Sequence, residues 1–175
     1  MNAKSPKESI AITTKVVLPH ETNVIGKLFG GALLAWMDEI AAVSAHRHSK
    51  RAVVTASVNN VSFNVPSDLG DILTLEAKVS RAFKTSMEVI INVSIEDRTT
   101  GESRMSNQAI YTFVAVDKNG SPVEIPEIVP ETQEEKINFA AALRRRQLSL
   151  ILAGKMKPAD ATELKSLFDG TIQKD

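Results

Sequence analysis

One carboxylate, Asp38, lies in the middle of a long apolar run of the sequence. The segment ALLAWMDEIAAVSAHR at residues 32–47 has the length and composition of an α-helix that is apolar nearly all round, which predicts a buried helix. The helical neighbours of Asp38 are three, four and seven positions away. They are apolar and mostly small: Gly31, Leu34, Ala35, Ala41, Ala42 and Ala45. Burying a lone charge there costs several kcal/mol.

The residues alone leave two explanations of Asp38 open. The carboxylate either pairs with a buried donor or a second copy of the chain and holds the fold together, or it faces a cavity as a general base or nucleophile. Glu39 has a similarly apolar set of neighbours. Only the smaller neighbours of Asp38, which leave room beside it, favour Asp38 over Glu39.

The start of the same helix offers hydrogen-bond donors. Gly30 and Gly31 precede the apolar run, and the first turn of a helix presents unpaired N–H groups at the positive end of its dipole. Without side chains, these residues either serve a simple turn or let a substrate carbonyl approach the backbone as in an oxyanion site. Asn23, in the loop before them, either forms an Asx turn or positions a water or the oxyanion.

The spacing of these groups constrains how they cooperate. Gly31 and Asp38 are seven residues apart, so they lie about 10.5 Å apart along a helix axis. One carbonyl group cannot touch both within one chain. If both act on the same bond, the second group comes from another copy of the helix, and the sequence then predicts a dimer with composite sites.

Long alternating segments surround this helix. The pattern predicts strands over 10–18, 52–63 with a bulge at Asn59-Asn60, 72–82, 86–96 and 108–116. In the third and fourth of these strands, the predicted inward residues are Leu73, Leu75, Ala77, Val79, Val89, Ile91, Val93 and Ile95. A capping box at Thr132–Glu135 predicts an outer helix to about Leu152. The expected fold is α+β, with an antiparallel sheet curled around one buried helix.

The predicted organisation is a flexible lead (1–9), one domain (10–153) and a polar tail (154–175), with a short helix near 161–168. The 175 residues balance 21 Lys and Arg against 21 Asp and Glu, so nucleic acid is not an expected partner. The absence of cysteine excludes disulfides and thiolate chemistry. With three His, a metal site is not expected. No apolar run has the length of a signal peptide or membrane span, so we expect a cytoplasmic protein without membrane insertion.

Several motifs together resemble a known family. They are LPHETNVIGKLFGGALLAWMDEIAAVSAHRH, VVTASVNNVSF, KTSMEV at 84–89 and IPEIVPETQEEK. These residues resemble the hotdog-fold acyl-CoA thioesterases, in the branch of bacterial short-chain acyl-CoA hydrolases and cytosolic brain-type hydrolases of animals. The resemblance runs from about Thr13 to about Leu152. The pattern N-x-x-G-x-x-x-GG-x5-MDE, from Asn23 to Glu39, is its most specific part.

The resemblance implies a function and an assembly. The fold would be a hotdog, the protein would dimerise through a continuous sheet, and three dimers would form a hexamer. The reaction would be hydrolysis of acyl-CoA to fatty acid and CoA, with no cofactor beyond the CoA of the substrate. Asp38 would be catalytic, Asn23 would act from the opposite subunit, and the Gly31 backbone would polarise the thioester oxygen. We expect Asp38 to activate water rather than to attack and form an anhydride.

Binding the phosphates of CoA requires cations and hydroxyl groups. The candidates for these groups are Arg81, Lys84, Thr85 and Ser86 at one turn, and Arg144 and Arg145 on the outer helix. Gly30 at the helix start is a further candidate for substrate binding, through its backbone. The Arg residues of that helix are equally compatible with a solvated helix face.

Two rival functions remain open. A hotdog hydratase or dehydratase uses a His as acid and base, but His20, His46 and His48 lie off the Asp38 stripe. A non-catalytic acyl-CoA sensor needs an output domain, and nine polar N-terminal residues are too few for a helix-turn-helix.

Overall fold

The chain folds into two compact units that divide between Val129 and Pro130. A computed structural model describes residues 2–63 and 65–169. This division differs from the predicted domain 10–153, because the helix opened by the capping box lies in the second unit. The end of the predicted tail, residues 170–175, lies outside the described residues, as does Met1 of the predicted lead.

The first unit is a five-stranded antiparallel sheet with one long helix. The strands are β1 (Ala11–Val16), β2 (Ala52–Ser62), β3 (Ile72–Ala82), β4 (Ser86–Glu96) and β5 (Ser103–Val116). Their order in the sheet is β1-β3-β4-β5-β2. The helix α1 (Gly30–Ser49) packs against all five strands. The expected α+β fold, with a curled antiparallel sheet around a helix, is confirmed.

The inner faces of β3 and β4 confirm the alternation of the sequence. The predicted residues Leu73, Leu75, Ala77, Val79, Val89, Ile91, Val93 and Ile95 are all buried. β5 adds Ala109, Tyr111, Phe113 and Ala115 to the same core. Burying each large aliphatic side chain contributes about 1.5–3 kcal/mol, so this face fixes which side of the sheet α1 covers.

The helix α1 is not enclosed on all sides within one chain, which corrects the prediction of a fully buried helix. One stripe, including Leu33, Met37, Ile40 and Ala41, is buried against the sheet. The opposite face exposes Gly31, Ala35, Glu39 and Val43. A sheet on one side covers only one stripe of a helix, so a face that begins with the small residues Gly31 and Ala35 and continues with Glu39 and Val43 remains uncovered.

The alternation of the sequence in β2 predicts that Val54, Ala56 and Val58 share the inner face, and this phase is wrong in the first half of the strand. The register shifts twice, between Thr55 and Ser57 and between Val58 and Asn60. The second shift is the predicted bulge at Asn59-Asn60, but the first one was missed. Because of this first bulge, Thr55 pairs with the inward-facing Phe113 and lies on the α1 side of the sheet, a position predicted for Val54.

The N-terminal lead is ordered where a flexible segment was predicted. Pro6–Ser9 form a 3-10 helix. The buried hydroxyl of Ser9 accepts a hydrogen bond from the backbone N–H of Val79 at 2.9 Å. The Lys4 ammonium donates to the carbonyl of His48 at 2.7 Å. The lead therefore supports the C-terminal end of α1 instead of extending into solvent.

The second unit contains two helices, α2 (Gln133–Leu152) and α3 (Thr162–Asp169). The predicted capping box is confirmed, since Thr132 Oγ1 accepts from the backbone N–H of Glu135 and the Glu135 carboxylate accepts from that of Thr132. The two helices are joined by a hydrogen bond from Leu164 N–H to Gln147 Oε1 at 2.8 Å. Neither these helices nor α1 combines the length and apolar composition needed to span a bilayer, within the described residues.

His48 is buried at the C-terminal end of α1. Its ring Nε2 lies 2.8 Å from the carbonyl oxygen of Pro126, to which the neutral ring can donate. Burial is the largest effect on the pKa of His48 and lowers it. The hydrogen bond to Pro126 raises this pKa, the charge of Lys4 lowers it, and that of Glu8 raises it, and the net shift is downward. The folded protein therefore holds this imidazole neutral at pH values where the unfolded chain binds a proton.

The first prediction concerns the free energy of unfolding as a function of pH. Since the unfolded state binds the extra proton, the His48 contribution is fully present above about pH 6.5 and falls as the pH drops toward the lower folded-state pKa, by at most about 1.4 kcal/mol per pH unit. Urea denaturation of the wild type and His48→Gln between pH 7.5 and 5 measures this. The variant keeps a donor for Pro126 and should lose stability less steeply. Equal pH slopes would contradict the prediction.

Candidate active site

The loop before α1 is organised by Asn23. Its Oδ1 accepts hydrogen bonds from the backbone N–H groups of Ile25 at 3.0 Å and Lys27 at 3.1 Å. Gly26 turns the loop with a φ of 72°, which a residue with a side chain rarely adopts. Backbone N–H groups can only donate, so this contact fixes the orientation of the amide. The Oδ1 atom of Asn23 therefore forms the predicted Asx turn. Its Nδ2 group donates no hydrogen bond to a described residue.

The N-terminus of α1 is open. Phe29 occupies the N-cap position and offers no side-chain acceptor to the first turn. A Cβ built on Gly31 would meet nothing within 4 Å, whereas one on Gly30 would lie 3.3 Å from the Phe63 ring. The backbone N–H groups of the first turn are thus available to an external oxygen atom, which Gly31 allows to come close.

A cavity of about 340 Å³ lies next to this helix start. It is lined by Asn23, Ile25, Lys27, Leu28, Gly30, Leu33, Phe63, Val65, Pro66, Ser67 and Asn107. The wall is largely apolar with a few polar groups, which is typical of a site for a small organic ligand. Two of the predicted site residues, Asn23 and Gly30, lie here together.

Asp38 lies elsewhere on α1 and is held by a hydroxyl group. Thr55 Oγ1 donates a hydrogen bond to Asp38 Oδ1 at 2.7 Å. No Lys, Arg or His in the described part of the chain forms an ion pair with this half-buried carboxylate. Burial, with a further effect of the Asp38 charge, raises the pKa of Tyr111 to about 12. Asp38 therefore keeps its charge uncompensated by a cation, and one of its oxygens remains without a hydrogen-bond donor among the described residues.

The neighbouring carboxylate, Glu39, has a different environment. Its side chain is 68% exposed and pairs with Lys15 at 3.6 Å. The weak sequence preference for Asp38 over Glu39 thus gains a structural basis. The sequence analysis did not identify Thr55 as a site residue, because the bulge at Ala56 reverses the expected phase of β2. The one sequence feature that could have identified it is its place inside the motif VVTASVNNVSF.

Within one chain, Asp38 and the cavity are separated by the length of the helix. Gly30 and Asp38 are eight residues apart, which is about 12 Å along the axis of α1. Asp38 is not among the residues that line the cavity. One copy of the chain therefore holds an oxyanion-type site and a carboxylate at two places that a single bond cannot bridge.

Apart from Gly30, the predicted CoA-binding residues of the first unit lie near the β3–β4 turn, away from the cavity. The Arg81 guanidinium lies 5.6 Å from the Phe83 ring centre. Lys84 pairs with Glu124 at 3.3 Å on the surface. Thr85 follows in the turn, and Ser86 begins β4 opposite Val114 of β5. Val114 is seven strand residues from Asn107 in the cavity wall, about 23 Å along the strand.

Arg144 and Arg145 lie on α2, in the second unit. Both are half-buried, and Arg145 donates to the Asn138 carbonyl at 3.2 Å. This partial burial does not match a fully solvated helix face.

The three histidines do not fit a His-based acid–base site. His20 is exposed and lies 3.9 Å from Glu21. His46 Nδ1 lies 2.8 Å from the Arg51 carbonyl, and His48 is buried beside Pro126. None of them lines the cavity or hydrogen-bonds Asp38, so nothing favours the hydratase. Within residues 2–63 and 65–169, no cluster of three or more His, Asp and Glu side chains could hold a metal ion.

Comparisons with known proteins agree with this fold and site. The model of the thioesterase superfamily matches residues 25–102. An uncharacterized acyl-CoA thioester hydrolase of Bacillus subtilis is 42% identical over 139 residues, which cover 79% of this chain and 81% of that protein. Acyl-coenzyme A thioesterase 11 of Mus musculus is 38% identical over 144 residues, 82% of this chain but only 24% of the mouse protein.

Solved structures are also similar. An apo-hexameric acyl-CoA thioesterase has a TM-score of 0.84 and 39% identity, covering 87% of this chain and 98% of that one. The acyl-CoA hydrolase of Staphylococcus aureus, in complex with butyryl coenzyme A, coenzyme A and coenzyme A disulfide, has a TM-score of 0.80 and 35% identity over 98% of this chain and 99% of that one. Structures of that hydrolase include three alanine mutants, at an Asn, at an Asp 15 residues later and at a Thr 17 residues further on.

The curled antiparallel sheet around one helix, together with these similarities, defines a hotdog-fold thioester hydrolase. This chain belongs to the acyl-CoA thioester hydrolases of the thioesterase superfamily.

Proposed function

We propose that this protein hydrolyses acyl-CoA to a free fatty acid and CoA, with Asp38 as the general base. The observation that carries the proposal is the Asp38 carboxylate, held at 2.7 Å by the neutral hydroxyl of Thr55 and without an ion pair to any cation of the described residues. A carboxylate neutralised by Lys or Arg would be a weaker base, whereas a hydroxyl donor orients it and leaves its charge available.

The proposed reaction uses groups already described. Asp38 removes a proton from a water molecule as the water oxygen adds to the thioester carbonyl carbon. The negative charge that develops on the carbonyl oxygen is stabilised by the first-turn N–H groups at Gly31 and by Asn23 Nδ2. The C–S bond then breaks, and the proton passes to the CoA thiolate. Leu33 and Phe63 give the cavity an apolar wall beside the reacting groups.

The reaction requires two copies of the chain. Because Gly31 and Asp38 are about 10.5 Å apart along α1, Asp38 of one subunit acts on a thioester held by Asn23 and Gly31 of the other. The uncovered face of α1 supports this assembly, since Gly31 and Ala35 would let a second helix approach closely. We propose a dimer with a continuous sheet and, as in the hexameric neighbour, three such dimers in a hexamer.

The spacing of the Staphylococcus aureus mutants supports the choice of residues. This chain has the same three residue types at the same intervals, as Asn23, Asp38 and Thr55. The residues mutated in that similar hydrolase thus have the same types and spacing as Asn23, Asp38 and Thr55. Asn23 and Asp38 were predicted from the sequence, and Thr55 is added by the structure.

We propose two groups of CoA contacts outside the cavity. At the β3–β4 turn, Arg81 and Lys84 supply cations, and Thr85 and Ser86 supply hydroxyl groups. On α2, the candidates are Arg144 and Arg145. Lys84 is exposed and its pair with Glu124 is on the surface, so a phosphate can compete for this ammonium at little cost.

The second prediction tests Asp38 against its neighbour. Asp38→Asn keeps the shape and an acceptor for Thr55 but removes the base, so kcat for butyryl-CoA should fall about 10²–10⁴-fold. Thiol release detected with DTNB measures the rate, and calorimetric titration with CoA should show unchanged affinity. Glu39→Gln, a carboxylate-to-amide change one residue away, is the matched control and should retain activity. Full activity of Asp38→Asn would refute the role of this residue.

The third prediction separates water activation from covalent attack. Attack by Asp38 on the thioester would form an anhydride and demands a tighter trajectory than general-base catalysis, so we expect the water route. A single turnover in heavy-oxygen water, followed by mass spectrometry of the Asp38 peptide, should place the label only in the fatty acid. Label in the Asp38 carboxylate would establish the anhydride instead.

A further inference from the structure

Asn107 is a buried polar residue on the inner face of β5. Along this strand, the inward positions after Asn107 are Ala109, Tyr111, Phe113 and Ala115. Asn107 is the polar exception and is only 1% exposed. Sequence analysis did not single it out, because a single Asn near the start of a strand has no distinctive pattern.

The orientation of the Asn107 amide is fixed by a backbone group. Its Nδ2 donates a hydrogen bond to the carbonyl oxygen of Ser62, the last residue of β2, at 2.8 Å. A carbonyl oxygen can only accept, so the nitrogen must face Ser62 and the oxygen must point elsewhere. Asn107 Oδ1 is buried and has no hydrogen-bond partner among the described residues. Leaving a buried acceptor unpaired costs about 1–3 kcal/mol.

The residue that carries this unpaired acceptor is part of the wall of the cavity beside the start of α1. Asn107 lines the cavity together with Asn23, Gly30, Leu33 and Phe63. The other polar groups aimed at a ligand here, Asn23 Nδ2 and the first-turn N–H groups of α1, are donors that suit a thioester oxygen. Asn107 Oδ1 has the opposite polarity, so it suits a donor on the ligand.

The substrate offers few donors near its reacting carbon. The thioester group and an unsubstituted acyl chain carry none. The first donor on the CoA side is the amide N–H of the pantetheine arm, separated from the sulfur by two methylene groups. If this N–H were buried with the thioester and left unpaired, it would weaken binding, and an acceptor already built into the wall removes that cost.

We propose that Asn107 Oδ1 accepts a hydrogen bond from the pantetheine amide N–H nearest the sulfur and thereby makes the enzyme specific for thioesters with this arm. The proposal rests on the proposed thioesterase function. The second O–H group of the attacking water is the alternative donor, since only its first O–H group faces Asp38 in the proposed reaction. The two donors differ in one consequence: a contact with the water affects every thioester alike, whereas a contact with the amide affects only substrates that carry this group.

The test compares two small substrates that differ in one group. The first is the butyryl thioester of N-acetylcysteamine, which retains the amide; the second replaces the amide N–H by an ester oxygen at the same position. The rates, normalised to hydroxide-catalysed hydrolysis, are measured for the wild type and for Asn107→Leu, which is similar in shape but has no acceptor. Gln108→Leu, on the exposed face next to it, is the matched control.

The expected wild-type kcat/KM is about tenfold higher for the amide substrate. Asn107→Leu should bring this ratio close to one by slowing the amide substrate, and Gln108→Leu should leave the ratio unchanged. If Asn107→Leu slows both substrates equally, Asn107 acts on the water or on the fold, and the proposal is overturned. A wild-type ratio near one overturns it as well.

Two further results remain distinguishable. If Asn107→Leu does not fold, Asn107→Ser, whose shorter side chain withdraws the acceptor, is measured in the same way and must lower the ratio. If the wild type hydrolyses neither these substrates nor butyryl-CoA, the proposed thioesterase function itself fails. Hydrolysis without discrimination refutes only the role of Asn107.

Discussion

The fixed rise of one helix governs the arrangement of the site. At 1.5 Å per residue, the seven residues from Gly31 to Asp38 keep the backbone donors and the carboxylate about 10.5 Å apart, and no rotation of side chains closes that gap within a chain. The sheet holds α1 by one stripe only and leaves the face of Gly31 and Ala35 uncovered. In the proposed dimer, a second helix covers this face and brings the backbone donors of one chain to the carboxylate of the other.

The charge of Asp38 fits the same arrangement. In a single chain it is half-buried, and its hydrogen-bond partner is the hydroxyl of Thr55 rather than a cation. Burial, with a smaller contribution from the Asp38 charge, raises the pKa of the nearby Tyr111 to about 12. Partly burying a carboxylate without a cation is unfavourable for folding, so such a group is more often found where it has a function. In the proposed mechanism that function is the transfer of one proton from water.

Much of the fold could be predicted from sequence because alternation and apolar runs report directly on burial. The bounds of β3 and β4, the residues of their inner faces and the cap at Thr132 follow from such local patterns. Features that depend on contacts between residues far apart in the chain could not be predicted from the sequence. The missed bulge at Ala56 moved Thr55 onto the helix side, and the packing of Ser9 on Val79 ordered a segment whose composition is polar.

The site was predictable in part for the same reason. Asp38 and the Gly pair stand out because their types contrast with the residues around them in the chain. Asn107 becomes notable only when the sheet brings it to Ser62 and to the cavity, since its significance lies in one unpaired oxygen. Likewise, α1 is apolar on nearly all sides, so the sequence pattern could not decide which of its residues the sheet buries and which remain exposed in a single chain.

The composite site is tested most directly by mixing two inactive subunits. Asp38→Asn removes the base, and Asn23→Asp removes the amide donor while keeping the acceptor that Ile25 and Lys27 require. Co-expressed with different affinity tags, the two chains pair at random, so half of the dimers are mixed and each mixed dimer has one intact site. The account predicts recovery of about a quarter of the wild-type butyryl-CoA hydrolysis. No recovery above that of the separate variants, in dimers shown to be mixed, would mean that each chain contains its whole site.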